Sequence, residues 1–152
     1  RFEGKYVSVG GYETIQTSFQ NEVSELSKNH KIILVYPIPE VGWNPYKQIY
    51  IQWAKKKRFD KNFNIINVTT SYEVYKNRTK SSFELLDSIQ GNNIYRVYTH
   101  KLFCDTIIKD RCVTHDNNNI FYFDNNHPSL KGAEMVNDLI IKEIEKIELK
   151  SN

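Results

Sequence analysis

The sequence predicts an α/β domain in which a parallel sheet carries helices on both faces, a three-layer αβα arrangement. Three observations carry that prediction. Residues 31–36 form a continuous apolar run of β-branched character, the pattern of a central strand buried on both faces. Residues 94–98 alternate apolar with polar positions and supply a second sheet strand. Before, between and after them, three segments (13–29, 72–89 and 130–149) repeat apolar residues every three or four positions, so helices alternate with strands. In such sheets ligands sit beyond the C-terminal strand edges.

Residues 1–11 hold three of the six glycines and read as a loop. In the first helix Ile15, Phe19, Val23 and Leu26 form the apolar face, and the helix ends at Asn29-His30. Pro37 and Pro39 stop the strand that follows, because proline cannot donate to a ladder. Residues 42–45 make a turn, after which Tyr46, Ile49, Tyr50 and Trp53 keep helical spacing. The run Lys55-Lys56-Lys57-Arg58 reads as a solvated helix end favoured by the dipole; a membrane-headgroup or nucleic-acid patch is the rival reading. Residues 63–68 suit either a strand or an extended connector. The helix over 72–89 turns Tyr75, Phe83, Leu86 and Ile89 inward, with Gly91 expected as its C-cap. In the last helix Ala133, Val136, Ile140, Ile144 and Ile147 trace one stripe, and Ser129 is placed to cap it, worth about 1 kcal/mol.

The 152 residues suit one domain, with 39% hydrophobic and 26% charged residues, as in ordinary globular chains. A formal charge of +3 is mild, and without a basic stripe it does not point to nucleic acid. No apolar run reaches the roughly 18 residues of a membrane span.

The chemistry concentrates in Phe121-Tyr122-Phe123-Asp124-Asn125-Asn126-His127-Pro128-Ser129-Leu130. The aromatics read as a short strand or strand end, and Pro128-Ser129 opens the last helix. Asp124 and His127 are three apart across asparagines that tolerate tight turns. That spacing lets the carboxylate curl back onto Nδ1–H and leaves Nε2 free to take a proton from a nucleophile. It is the orienting half of a Ser-His-Asp machine.

Together with its flanks Lys131-Gly132-Ala133, this block resembles the last motif of the SGNH hydrolase superfamily. More narrowly, it is similar to the SGNH domain attached to membrane acyltransferases of the acyltransferase-three family. The segment Ile32-Ile33-Leu34-Val35-Tyr36-Pro37-Ile38-Pro39-Glu40 and the pair Cys104 and Cys112 agree with that resemblance, which covers about residues 19–144. It implies a flavodoxin-like fold, catalytic roles for Asp124 and His127, no cofactor, and no metal. It implies as partners an acyl donor, in the first instance acetyl, a carbohydrate acceptor, and the membrane acyltransferase domain of the same parent, with no nucleic acid. It also implies a periplasmic or extracytoplasmic location, held to the membrane through the parent.

The family's serine nucleophile belongs to a Gly-Asp-Ser block, and its oxyanion donors to two further early blocks. No serine of this chain follows a Gly-Asp pair, and no G-x-N-D is present. The chain starts at Arg1-Phe2, so the expectation is a single SGNH-like domain over 1–152, truncated at its N-terminus and inert by itself, with a degenerate relative that has lost catalysis as the alternative. Its parent is expected to O-acetylate cell-surface or exported polysaccharide. An SGNH esterase and a non-catalytic glycan-binding module are the alternatives.

Cys104 and Cys112 leave a disulfide, free thiols or a metal pair open. With His100 and His115 they make H-x3-C-x7-C-x2-H, but structural zinc knuckles space their cysteines more tightly. The resemblance favours the disulfide, since related domains face an oxidising compartment. Trp43, Tyr46 and Tyr50 read first as core at helical spacing. The second reading is a stacking wall for a sugar, with Trp43 as the substrate-binding candidate.

Overall fold

The computed structural model describes residues 14–59 and 67–149. The order is α1 (Ile15–Ser27), β1 (Ile32–Val35), α2 (Pro45–Phe59), β2 (Thr69–Ser71), α3 (Tyr72–Ser88), β3 (Ile94–Val97), a 3-10 turn (Thr99–Leu102), β4 (Arg111–Val113) and α4 (Leu130–Leu149). The expected loop over 1–11 and the uncertain stretch 63–66 lie outside the described residues. Among those residues no helix is long and apolar enough to cross a membrane.

β1 and β3 pair in parallel, with Ile32 opposite Ile94 and Val35 opposite Val97. One face, carrying Leu34 and Ile94, packs with Val23 of α1, Phe83, Leu86 and Ile89 under α3, and Tyr36. Side chains alternate across a strand, so Ile33, Val35, Tyr95 and Val97 point the other way, and α4 lies against β3. The chain is therefore mixed α/β, with a parallel pair and helices around it.

The helix ends follow local chemistry. Thr14 caps α1 by accepting the Thr17 N–H at 3.1 Å. Ser71 does the same for α3 through Val74. Asn44 accepts the Lys47 N–H at 2.9 Å, and Pro45 sits at the first helical position, where its missing N–H is no loss.

Four expectations are corrected. β1 is not buried on both faces: Val35 is 43% exposed, because among the described residues β1 pairs only with β3. Of the α1 stripe only Val23 is buried, and Ile15, Phe19 and Leu26 stay exposed on a helix covered along one edge. Gly91 is not the C-cap of α3; Ile89, in extended conformation, ends the helix with its N–H on the Leu86 carbonyl. Trp43, Tyr46 and Tyr50 are exposed rather than core.

A second, antiparallel pair, β2 with β4, was not legible in the sequence, since three residues are too few to show alternation. It places Thr70 opposite Cys112, and Cys112 is joined to Cys104 by a disulfide buried beside Tyr75. Asp105 and Asp110 close the intervening loop with φ of 55° and 58°, a left-handed region that aspartate tolerates better than most residues.

Candidate active site

The chain leaves the core at Phe123: Phe121 and Tyr122 are buried and Phe123 is exposed. Instead of continuing as a strand it folds over, with Tyr122 bridged to Pro128 and the Phe123 N–H donating to the His127 carbonyl at 2.9 Å. One carboxylate orders the loop inside that closure. Asp124 Oδ1 accepts the backbone N–H of Asn126 at 3.0 Å and of His127 at 2.8 Å. Its Oδ2 lies 2.8 Å from His127 Nδ1.

These bonds fix both charge and tautomer. The Asn126 and His127 amides, followed by the imidazole, hold the Asp124 carboxyl down at about 2, so it is an anion at any pH near neutral. An anionic acceptor places a proton on Nδ1, which leaves the Nε2 lone pair available. The His127 side chain is 69% exposed, and no serine hydroxyl bonds to Nε2 among the described residues.

The loop is anchored on two sides. The Asn125 carbonyl accepts the Val41 N–H at 2.8 Å, which ties it to the segment leaving β1. That segment is pinned in turn: Thr99, fully buried, donates through Oγ1 to the carbonyls of Tyr36 at 2.7 Å and Pro37 at 3.1 Å. The Tyr75 hydroxyl donates to Pro37 O at 2.7 Å, and burial pushes its pKa up to about 12, which keeps it a donor. The Asp124–His127 loop and the β1 exit thus meet beyond the C-terminal end of the parallel pair.

On the other side Ser129 caps α4. Its hydroxyl accepts the Gly132 N–H at 3.2 Å and donates to the Ile120 carbonyl at 2.6 Å, while its own N–H donates to Phe121 O. A Cβ on Gly132 would stand 2.1 Å from Phe121 O, so only glycine lets the first turn of α4 rest on the Phe121 backbone. Val41, Thr99 and Gly132 are the positioning residues that sequence reasoning missed. Gly132 did carry a signal, because glycine inside a helix costs about 1 kcal/mol relative to alanine and marks a close approach.

Beside the β1 exit a cavity of about 240 Å³ opens between Pro37, Ile38, Glu40 and the α3 residues Tyr75, Arg78 and Ser82. An Arg78–Glu40 ion pair of 2.7 Å crosses its rim. Trp43 lies two residues beyond Val41 and lines a different hollow, of about 310 Å³, with Gln48, Gln52, Thr69 and Arg111. The zinc alternative fails on its ligands: both sulfurs are joined in the disulfide. His115 uses Nε2 to accept the Val68 N–H, and the ring of His100 is packed against Tyr72, Tyr75, Phe83 and Tyr98.

No curated protein and no solved structure matches the chain. The family model described as SGNH domain (fused to AT3 domains) matches residues 2–142. With nearly the whole length matched, and the D-x-x-H loop set between a parallel-strand exit and the last helix, the chain belongs to that family of acyltransferase-associated SGNH domains.

Proposed function

We propose that this chain supplies the general base and its orienting acid to an acyl-transfer site, and that the protein it belongs to O-acetylates a cell-surface or exported polysaccharide. The observation that supports the reading is the 2.8 Å contact between His127 Nδ1 and Asp124 Oδ2, with the rest of the imidazole open to solvent. No Gly-Asp-Ser occurs in these residues, so the serine and the oxyanion donors come from sequence outside them.

In the first step His127 Nε2 takes the serine proton as Oγ attacks the acyl carbonyl. The tetrahedral adduct collapses, the donor's leaving group departs with that proton, and the serine is acylated. In the second step Nε2 takes the proton of a sugar hydroxyl, whose oxygen attacks the acyl-serine; collapse frees the serine, which recovers the proton. Asp124 stays ionised throughout and stabilises the imidazolium. The acyl donor is delivered by the membrane acyltransferase domain of the same parent, on the extracytoplasmic side, in keeping with the Cys104–Cys112 disulfide.

The test is His127→Ala in the full-length protein, read as acetyl content of the polysaccharide. Loss of acetylation with unchanged expression is expected. Acetylation near the wild-type level removes His127 from the reaction.

A further inference from the structure

The aromatic side chains of residues 43–53 do not pack as core, and the acyl-transfer chemistry does not use them. Trp43 is 42% exposed, Tyr46 59%, Tyr50 57% and Trp53 48%. Tyr46, Tyr50 and Trp53 recur at spacings of four and three, so they share one face of α2, and the Tyr50 and Trp53 rings lie 6.1 Å apart. Trp43, in the turn before the helix, is exposed too but lines a separate hollow with Gln48 and Gln52, on another side of α2. Large exposed apolar surfaces of this kind mark interaction sites.

The charge pattern says what they meet. Residues 41–59 contain no aspartate or glutamate, while Lys47 and the run Lys55-Lys56-Lys57-Arg58 are all cationic. Lys47 and Lys55 are exposed. A helix with Trp and Tyr on one face, a sequence rich in lysine and arginine with no acid, and little overall hydrophobicity suits the headgroup region of a bilayer. There amphipathic rings sit at the boundary and cations meet anionic lipid. Membership of a family fused to AT3 domains, which the resemblance reads as membrane acyltransferases, is consistent with such a surface nearby.

We infer that the aromatic face of α2 formed by Tyr46, Tyr50 and Trp53, together with the cationic C-terminal sequence of the helix, is a docking surface for an anionic lipid bilayer. The contact is peripheral: rings at headgroup depth, and the positive charge of the segment attracted to the phosphates. It does not depend on the catalytic reading.

The chain provides its own reporter, because Trp43 and Trp53 are its only tryptophans. The 152-residue protein is mixed with vesicles of phosphatidylglycerol and phosphatidylcholine, and with vesicles of phosphatidylcholine alone. Expected are flotation with the anionic vesicles only, a blue shift of tryptophan emission, and release by salt. Replacing Lys55, Lys56, Lys57 and Arg58 by glutamine should weaken binding by about a hundredfold or more. Tyr46→Ser with Tyr50→Ser, which keeps both tryptophans, should weaken it by about tenfold and reduce the shift. Circular dichroism checks that each variant is folded. Absence of flotation and shift overturns the inference, as does binding that neither variant changes. A blue shift induced by soluble oligosaccharide but not by vesicles overturns it in favour of a sugar platform.

Discussion

Two loops of this protein are built on nearly the same four residues. Asp116-Asn117-Asn118-Asn119 and Asp124-Asn125-Asn126-His127 each open with an aspartate whose Oδ1 accepts the amides two and three residues on. The distances are 2.7 and 2.6 Å in the first loop, 3.0 and 2.8 Å in the second. In both, those bonds pull the carboxyl below its ordinary range. They part at the fourth residue. Asn119 turns its amide back on the carboxylate at 3.3 Å to both oxygens, which uses up the acceptor. His127 contacts Oδ2 with one ring nitrogen and keeps a second for other work. The aspartate turn is a structural device, and one ring adds to it the imidazole that the proposed acyl transfer would use as its base. Anchoring differs too: the second loop is held by Val41 at the β1 exit and by α4 resting on Phe121.

The largest effect should come from making the second loop a copy of the first. His127→Asn retains the turn, since the bonds to Oδ1 are made by backbone amides, and removes the base. On the proposed role, acyl transfer by the full-length protein should fall by on the order of 10⁶-fold with little change in melting temperature. Activity within tenfold of wild type would show that the ring is dispensable.

Asp124→Asn should come next, at about 10⁴-fold. The amide oxygen can still receive the backbone N–H groups, but its NH2 faces Nδ1 and favours the tautomer with the proton on Nε2. Imidazole proton and nitrogen NMR shifts of the variant report that tautomer directly. An unchanged tautomer with full activity would separate the aspartate from catalysis.

Gly132→Ala tests the anchoring. The added Cβ cannot share space with Phe121 O, so α4 or the Phe121 backbone must shift, at a cost of about 1–3 kcal/mol. Thermal unfolding should show the loss, and the His127 ring signals should broaden or move. A variant as stable as wild type would mean that α4 adjusts freely.

The smallest effect is an acid titration. Both aspartates titrate below their unfolded value of 3.8. Their contribution to stability is therefore present above about pH 4 and fades as pH falls through the folded value, about 2 for Asp124. Carboxyl carbon shifts followed from pH 5 to 1.5 should show Asp124 still ionised at pH 3 and the loop amides protected there. A midpoint near 4 would mean that the turn does not form in solution.

Much of this architecture is local and was legible in the residues. Helices α1, α3 and α4 announce themselves by period, because one face must be apolar to pack, and the start signal at Ser129 acts within one turn. β1 and β3 show as apolar runs of strand length. The aspartate-to-histidine contact spans three residues, so the motif itself carries it. What required the tertiary structure are relations between distant segments. Period says that a residue belongs to a face, not whether anything covers that face, and so Val35 and the aromatics of α2 end exposed. The pairing of β2 with β4 joins segments 42 positions apart through three residues each, below the length at which alternation is visible. The seat of the site is also non-local. Val41 reaches Asn125 backbone to backbone, while the Thr99 hydroxyl and the bare Cα of Gly132 each meet a main-chain carbonyl, of Tyr36 and Phe121, that any residue would possess. A main-chain hydrogen bond leaves almost no trace in side-chain identity, and so the D-x-x-H loop could be read from the sequence while the scaffold that aims it could not.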